Sequence, residues 1–245
     1  MLLGIHIPDY VGIGDRIQFG CLPENFYLNT GDKMVDVSDC YVFDHNPFVI
    51  RNRNVSPDRV VNLWVHKWEP SPNFLSKSER WCDGLGLETC FLRHPRLYIY
   101  EDVPTQSNLI TVHTSGKMKG TFSDKIIDQI HKNYQGYDIV QVGGKDDKGT
   151  PFTDRRGLNF FESANLIAQS QIFIGPSSGM YHISRCYPKV RKKVVVLDSD
   201  GDLDRETLKT FSPYKLICDD WLDFDTEIYN ESKYDIGVTR ALHKI

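Results

Sequence analysis

The chain has 245 residues and 28.2 kDa, room for one large domain or two small ones, and its 40% hydrophobic content is enough for a real core. Lys plus Arg number 29 against 33 Asp plus Glu, a formal net charge of -4 with no long run of either sign, which argues against general nucleic-acid binding or a polybasic membrane binder. Six cysteines lie far apart with no C-x-x-C pair, so they read as reduced core thiols rather than a zinc site or a disulfide framework.

The N-terminal "MLLGIHIPDYVGIGD" has no basic n-region and no long apolar h-region. No stretch approaches the length of a membrane span, so a cytoplasmic protein without an integral membrane segment is expected, peripheral membrane association staying open. Strand-like pieces follow as "MLLGIHI", "DRIQFGCLP", "YVFD", "RVVNLWVH" and "PRLYIY", separated by loops rich in Asn, Pro and Asp. Residues 1–103 thus read as an irregular N-terminal domain, and the polar "EDVPTQSN" as a linker. Beyond it "LITVHT", "FSDKIIDQIHKNY", "YDIVQVGG", "NFFESANLIAQS", "QIFIGP", a helix from Gly179 and "KKVVVLD" alternate strand with helix. That alternation argues for βαβ units on a parallel sheet over 104–221, with 222–245 as a tail. Phe160, Phe161, Ala164, Ile167 and Ala168 recur at helical spacing as an apolar stripe that packs on the sheet.

Three loops carry candidate chemistry. In "GIGD", Gly12 and Gly14 begin like a dinucleotide fingerprint, but Ile17 stands at the third glycine position. Asp15, just after the first strand, either faces a ligand or caps the following helix. In "VHTSGKMKG" a strand ends in Thr114, Ser115 and Gly116, followed by Lys117 and Lys119, groups that suit a diphosphate or form a solvated turn. The spacing is not that of a Walker loop.

In "GPSSGMYHISR", Ser177 satisfies the G-x-S-x-G of a serine-hydrolase nucleophile elbow, with Asp198, Asp219 or Asp220 and His243 following in triad order. Too little chain remains beyond it for the strands that normally carry the acid and the histidine, and His243 stands three residues from the end. The other reading is a phosphate-holding helix start, with Ser177, Ser178, Gly179 and, one turn in, His182. "DSDGDLD" clusters carboxylates but lacks the later glutamate of an EF-hand, so no metal site is assigned. Trp64, Trp68, Trp81 and Trp221 read as packing residues, with Trp64 and Trp68 beside His66 and Lys67 as candidates for an acceptor side.

Together these residues resemble glycosyltransferase family 9, the ADP-heptose:lipopolysaccharide heptosyltransferases and their relatives, over about residues 108–198 and "GIGDRIQF". The resemblance implies an α/β, GT-B-like fold: two Rossmann-like domains facing a central cleft, the N-terminal one reduced to about 100 residues. It makes Asp15 the catalytic base, and Thr114, Ser115 and Lys119 contacts of the donor phosphates. "VQVGGKDD", with Gly143, matches the family's strand, glycine turn and acidic residue. Leu158, Glu162, Ser178, Gly179 and His182 match a helix segment followed by D-[ST]-G-x-x-H, Ser177 standing where the family has aspartate.

The implied function is metal-independent, inverting transfer of a heptose or other hexose-like sugar from a nucleotide-diphosphate donor to a glycan or other cytoplasmic acceptor, as in lipopolysaccharide or capsule biosynthesis. No cofactor is expected. Gly12, Gly14, Gly143 and Glu162 fall to the donor nucleotide or to loop shape, Glu162 as a ribose ligand or an exposed helix charge. The tail 222–245 is expected to cross back onto the N-terminal domain. The alternatives are a nucleotide-sugar binding module that has lost catalysis and, behind it, a hydrolase using Ser177.

Overall fold

The computed structural model describes residues 2–52, 54–63, 77–116, 120–176, 178–197 and 226–230. The chain divides between Glu101 and Asp102, inside the polar segment, into two compact units.

In the first unit, β1 (Leu3–His6), β2 (Met34–Asp36), β3 (Val49–Ile50) and β4 (Arg59–Asn62) form a four-stranded sheet in the order β3-β2-β1-β4, parallel throughout. Its interior strand β1 buries Leu3, Gly4 and Ile5 in succession, as expected where helices cover a parallel sheet. The half read as irregular is therefore itself a small α/β unit. "DRIQFGCLP" is not a strand: α1 (Ile13–Gln18), a 3-10 turn at Phe19–Cys21 and α2 (Leu22–Thr30) run through it. Pro23 stands in the first turn of α2, where a missing N–H costs nothing. A Cβ on Gly20 would strike the Arg96 carbonyl, so glycine is what lets the 3-10 turn lie against the segment around Arg96.

That later segment, "PRLYIY", buries Leu97 and Ile99 but joins no sheet. Side chains of α2 hold it and the residues before it instead. Asn25 Oδ1 accepts from Phe91 N at 2.8 Å and Leu92 N at 2.9 Å, while Glu24 receives Arg96 Nη1 at 2.8 Å and the Tyr98 hydroxyl. "YVFD" forms a 3-10 turn, and α3 (Lys77–Gly84) follows later. Trp64, His66, Lys67 and Trp68 lie outside the described residues.

The second unit carries β5 (Gln106–His113), a hairpin of β6 (Ser115–Gly116) and β7 (Gly120–Thr121), α4 (Asp124–Asn133), β8 (Asp138–Val142), β9 (Thr153–Asp154), α5 (Phe160–Gln169), β10 (Ser170–Gly175), α6 (Gly179–Arg185), β11 (Lys192–Leu197) and β12 (Thr226–Asn230). The main sheet has six strands in the order β12-β11-β10-β5-β8-β9, all parallel. Ile110, Val112, Ile172 and Ile174 meet Ile126, Ile127 and Ile130 of α4 on one face. Phe173 points the other way, as the pleat requires, and its ring lies 6.4 Å from that of Tyr181 on α6.

The stripe on α5 is buried at Ala164, Ile167 and Ala168, with Phe160 and Phe161 half-buried in edge-on contact. Helices thus cover both faces, a doubly wound arrangement. The described part of the tail, 226–230, is the outer strand of this sheet. Asp198, "DSDGDLD", Asp219, Asp220, Trp221 and His243 lie outside the described residues.

Candidate functional site

In the second sheet the chain steps from β5 to β8 and β9 on one side, and to β10, β11 and β12 on the other. The order reverses between β5 and β10, and open α/β sheets bind ligands at the carboxyl ends of strands at such a point. Segments singled out in the sequence leave the sheet there: Thr114 and Ser115 after β5, Ser178 and Gly179 after β10, and the Gly143 loop after neighbouring β8. A Cβ on Gly175 would lie 3.3 Å from the Cβ of His113, so the two strand ends are in contact.

Ser178 is the N-cap residue of α6 in extended conformation (φ -149°, ψ 178°), but its hydroxyl does not cap the helix. It lies 2.9 Å from His113 Nδ1 instead. The other ring nitrogen of His113 is 3.2 Å from Asp147 Oδ2, which also accepts from Gly144 N at 2.7 Å. Burial pushes the Asp147 carboxyl up, but the His113 hydrogen bond and charge, the Gly144 amide and Arg156 together hold it below the usual carboxylate value. Gly143, at φ 131°, admits this pair: a side chain there would meet His113 Cδ2 at 2.5 Å and the Asp147 carboxylate. The role of Gly143 is thus loop shape.

Thr114 is fully buried. Its hydroxyl donates to Lys148 O at 2.9 Å and accepts from Gln141 Nε2 at 2.9 Å, so Thr114 ties the β8–β9 loop to the end of β5 and its hydroxyl is committed there. Gln141, also fully buried, completes the tie by accepting from Thr150 N at 3.1 Å. Ser115 is half-buried with its hydroxyl 3.4 Å from Lys148 N. Lys119 and Ser177 fall outside the described residues.

His182 turns inward: it is buried, its Nδ1 accepts from Arg185 Nη1 at 3.4 Å, and its ring lies 5.5 Å from that of Tyr181. Glu162 has a third role beside those weighed from sequence. Its Oε2 accepts from Asn159 N at 3.0 Å while Asn159 Oδ1 accepts from Glu162 N at 2.9 Å, a capping box at the start of α5. The signal was present as N-x-x-E ahead of an apolar run. His113, Asp147 and Gln141 were also missed; each is a polar residue interrupting or ending an apolar strand, or in the glycine loop after one.

In the first sheet β1 occupies the same switch position, between β2 and β4. Asp15 stands half-buried in the first turn of α1, behind the loop that leaves the carboxyl end of β1. Gly12 is the N-cap at φ -61° and Gly14 lies within the helix, so neither glycine serves a left-handed turn. Arg16 fixes the loop by donating from Nε to Val11 O at 2.8 Å and from Nη2 to Asp9 O.

No family model matches the sequence, and no curated protein matches it. Solved structures do. The glycosyltransferase family 9 protein of Veillonella parvula superposes with TM-score 0.64 at 11% identity, over 99% of this chain and 90% of that one. ADP-heptose lipopolysaccharide heptosyltransferase II of E. coli gives TM-score 0.59 at 11% identity, over 100% and 97%. The iron-containing dodecameric glycosyltransferase TibC of enterotoxigenic E. coli gives TM-score 0.61 at 15% identity, over 80% of this chain but 58% of TibC. The chain thus spans 58% of the length of TibC, which has also been solved as a heptosyltransferase with ADP-heptose bound. At these identities the likeness is one of fold: two parallel α/β units of the GT-B-like kind, as in the family 9 structures.

Proposed function

We propose that this chain is a glycosyltransferase that moves a heptose or other hexose-like sugar from a nucleotide-diphosphate donor to a hydroxyl of a glycan or other cytoplasmic acceptor. The observation that carries the reading is the switch point of the second sheet, where Ser115 and Ser178 leave adjacent strand ends in a fold shared with heptosyltransferase structures. The donor diphosphate lies against Ser115, Ser178, Gly179 and the segments bearing Lys119 and Ser177. Thr114, His182 and Gly143 shape the loops around it, Gly12 and Gly14 shape the loop that bears Asp15 in the first unit, and Glu162 combines its cap with a contact to the ribose.

The chemistry follows from what transfer needs. Asp15 takes the proton of the acceptor hydroxyl as its oxygen attacks the anomeric carbon. The bond from that carbon to the diphosphate oxygen breaks, and the nucleoside diphosphate leaves with the electron pair, its charge held by the hydroxyl, backbone and ammonium groups named above. A single displacement inverts the anomeric centre. The reading assigns no metal, so turnover is expected to survive EDTA.

Asp15→Ala tests it. Donor binding, followed by calorimetry, is expected to persist while turnover falls about 10²–10⁴-fold, the usual worth of a general base. Equal loss of binding and turnover, or no loss of either, counts against Asp15 as the base. A wild-type chain that binds sugar nucleotides yet transfers to no acceptor is the binding module instead.

Ser178, His113 and Asp147 make one contact chain that invites a hydrolase reading through Ser178 rather than Ser177. The extended backbone of Ser178 is not the strained turn of a nucleophile elbow. No fluorophosphonate labelling is therefore expected.

A further inference from the structure

We propose that His113 is a positioning residue for the donor diphosphate: it sets the direction of the Ser178 hydroxyl and takes up a proton as the diphosphate binds. The inference rests on the donor site proposed above.

Asp147, held below the usual carboxylate value by its partners, is an ionised acceptor without a proton to give. The 3.2 Å contact to His113 therefore places a proton on Nε2. On a neutral imidazole Nδ1 is then a bare lone pair, and the Ser178 hydroxyl at 2.9 Å must donate to it. A hydroxyl has one proton, so in this state Ser178 turns only lone pairs toward a ligand, and lone pairs repel phosphate oxygens. A second proton on the ring reverses the bond. Nδ1–H donates to Ser178 Oγ, and the Ser178 hydroxyl, keeping its proton, donates a hydrogen bond to a phosphate oxygen.

The surroundings permit that ionisation. The His113 side chain is 9% exposed, which opposes a charge, but Asp147 lies directly against it and balances one. Arg156 donates to the Asp147 backbone carbonyl and is paired through Nη2 with Asp154 Oδ2 at 2.8 Å. Lys145 and Asp146 of the same loop are exposed, and Lys148 is engaged away from the ring with Asp124 at 2.7 Å and Phe122 O at 3.0 Å. On α6, His182 is bonded to Arg185 rather than to His113. A bound diphosphate adds the second negative charge that favours the imidazolium.

Binding that prefers the protonated ring tightens as pH falls through the range where imidazoles titrate, about pH 5 to 8, and levels off below it. The limiting slope is about tenfold in affinity per pH unit, with uptake of about one proton. ADP-heptose, UDP-glucose and GDP-mannose serve as probes. Their diphosphates are esterified at both ends, whereas a free nucleoside diphosphate ends in a phosphate that itself titrates near about pH 6.

Calorimetry in buffers of different ionisation enthalpy, across that pH range, reads the affinity and the proton count together. The full chain is expected to show both the slope and the uptake. His113→Asn is expected to flatten the profile, and Asp147→Asn to move its inflection to lower pH. Ser178→Ala separates the hydroxyl from bare charge: it is expected to bind more weakly with a shallower profile, the residual slope being the part due to charge alone. Thermal unfolding checks each variant, and if His113→Asn does not fold, the other two carry the test. A wild-type profile without slope or uptake overturns the inference and leaves the donor site standing, as does a Ser178→Ala profile as steep as the wild type. Failure of every probe to bind at any pH removes the donor site and the inference with it.

Discussion

Gly143 carries more of the second unit's site than its lack of a side chain suggests. Its φ of 131° is one an L residue rarely adopts, and a methyl group there collides with both His113 and Asp147. Gly143→Ala is expected to cost about 1–3 kcal/mol in urea unfolding. Asp147 gives a pH signature of its own. Its carboxyl is lowered on folding, so its stabilising contribution is present above the unfolded value, about pH 3.9, and is lost as pH falls through the folded value. The stability difference between wild type and Asp147→Asn, by urea unfolding from pH 6 down to about pH 3, is expected to shrink on that acid limb. Thr-Ser-Gly and Ser-Ser-Gly were legible in sequence because each is a local run beside a strand. The bond between His113 and Asp147 was not, because 34 residues separate them and only the pairing of β5 with β8 brings them together.

Helix α5 was predicted from its apolar stripe, and its start is set by the reciprocal bonds of Asn159 and Glu162. Asn159→Ala is expected to cost about 1 kcal/mol by thermal or urea unfolding, the ordinary worth of such a cap. Glu162→Gln keeps an acceptor for Asn159 N and is expected to leave stability nearly unchanged, so any loss of donor affinity in it reports the ribose contact. The opposite lesson comes from residues 13–30. There "DRIQFGCLP" reads as a short strand-like piece, yet the chain is helical, with Ile17, Leu22 and Phe26 buried. A short apolar run does not distinguish the two periods, and the segment's packing is long-range: Gly20 lies against the Arg96 carbonyl. Gly20→Ala is expected to destabilise the first unit by about 1–3 kcal/mol, as overpacking does elsewhere.

Two units, each with its own parallel sheet and buried core, need not unfold together. Scanning calorimetry is expected to resolve two transitions, of which a sugar nucleotide raises one, that of the unit carrying Ser178, by mass action. A single transition, or equal shifts of two, contradicts donor binding by that unit alone. From sequence, the alternation of strand and helix beyond residue 104 determined the second unit's class, and the loop residues marked a candidate site. Both are local: periodicity is written in spacings of two to four residues, and hydroxyls and glycines at strand ends need no distant partner to be recognised. Strand order was left to the tertiary structure, and with it the switch point between β5 and β10, the sheet in the first unit, and the commitments of each polar group. Thr114 is spent on Gln141 and Lys148, His182 on Arg185, and Ser178 is joined to His113. Which hydroxyl can reach a ligand depends on which neighbours the fold sets beside it, and no spacing along the chain encodes that.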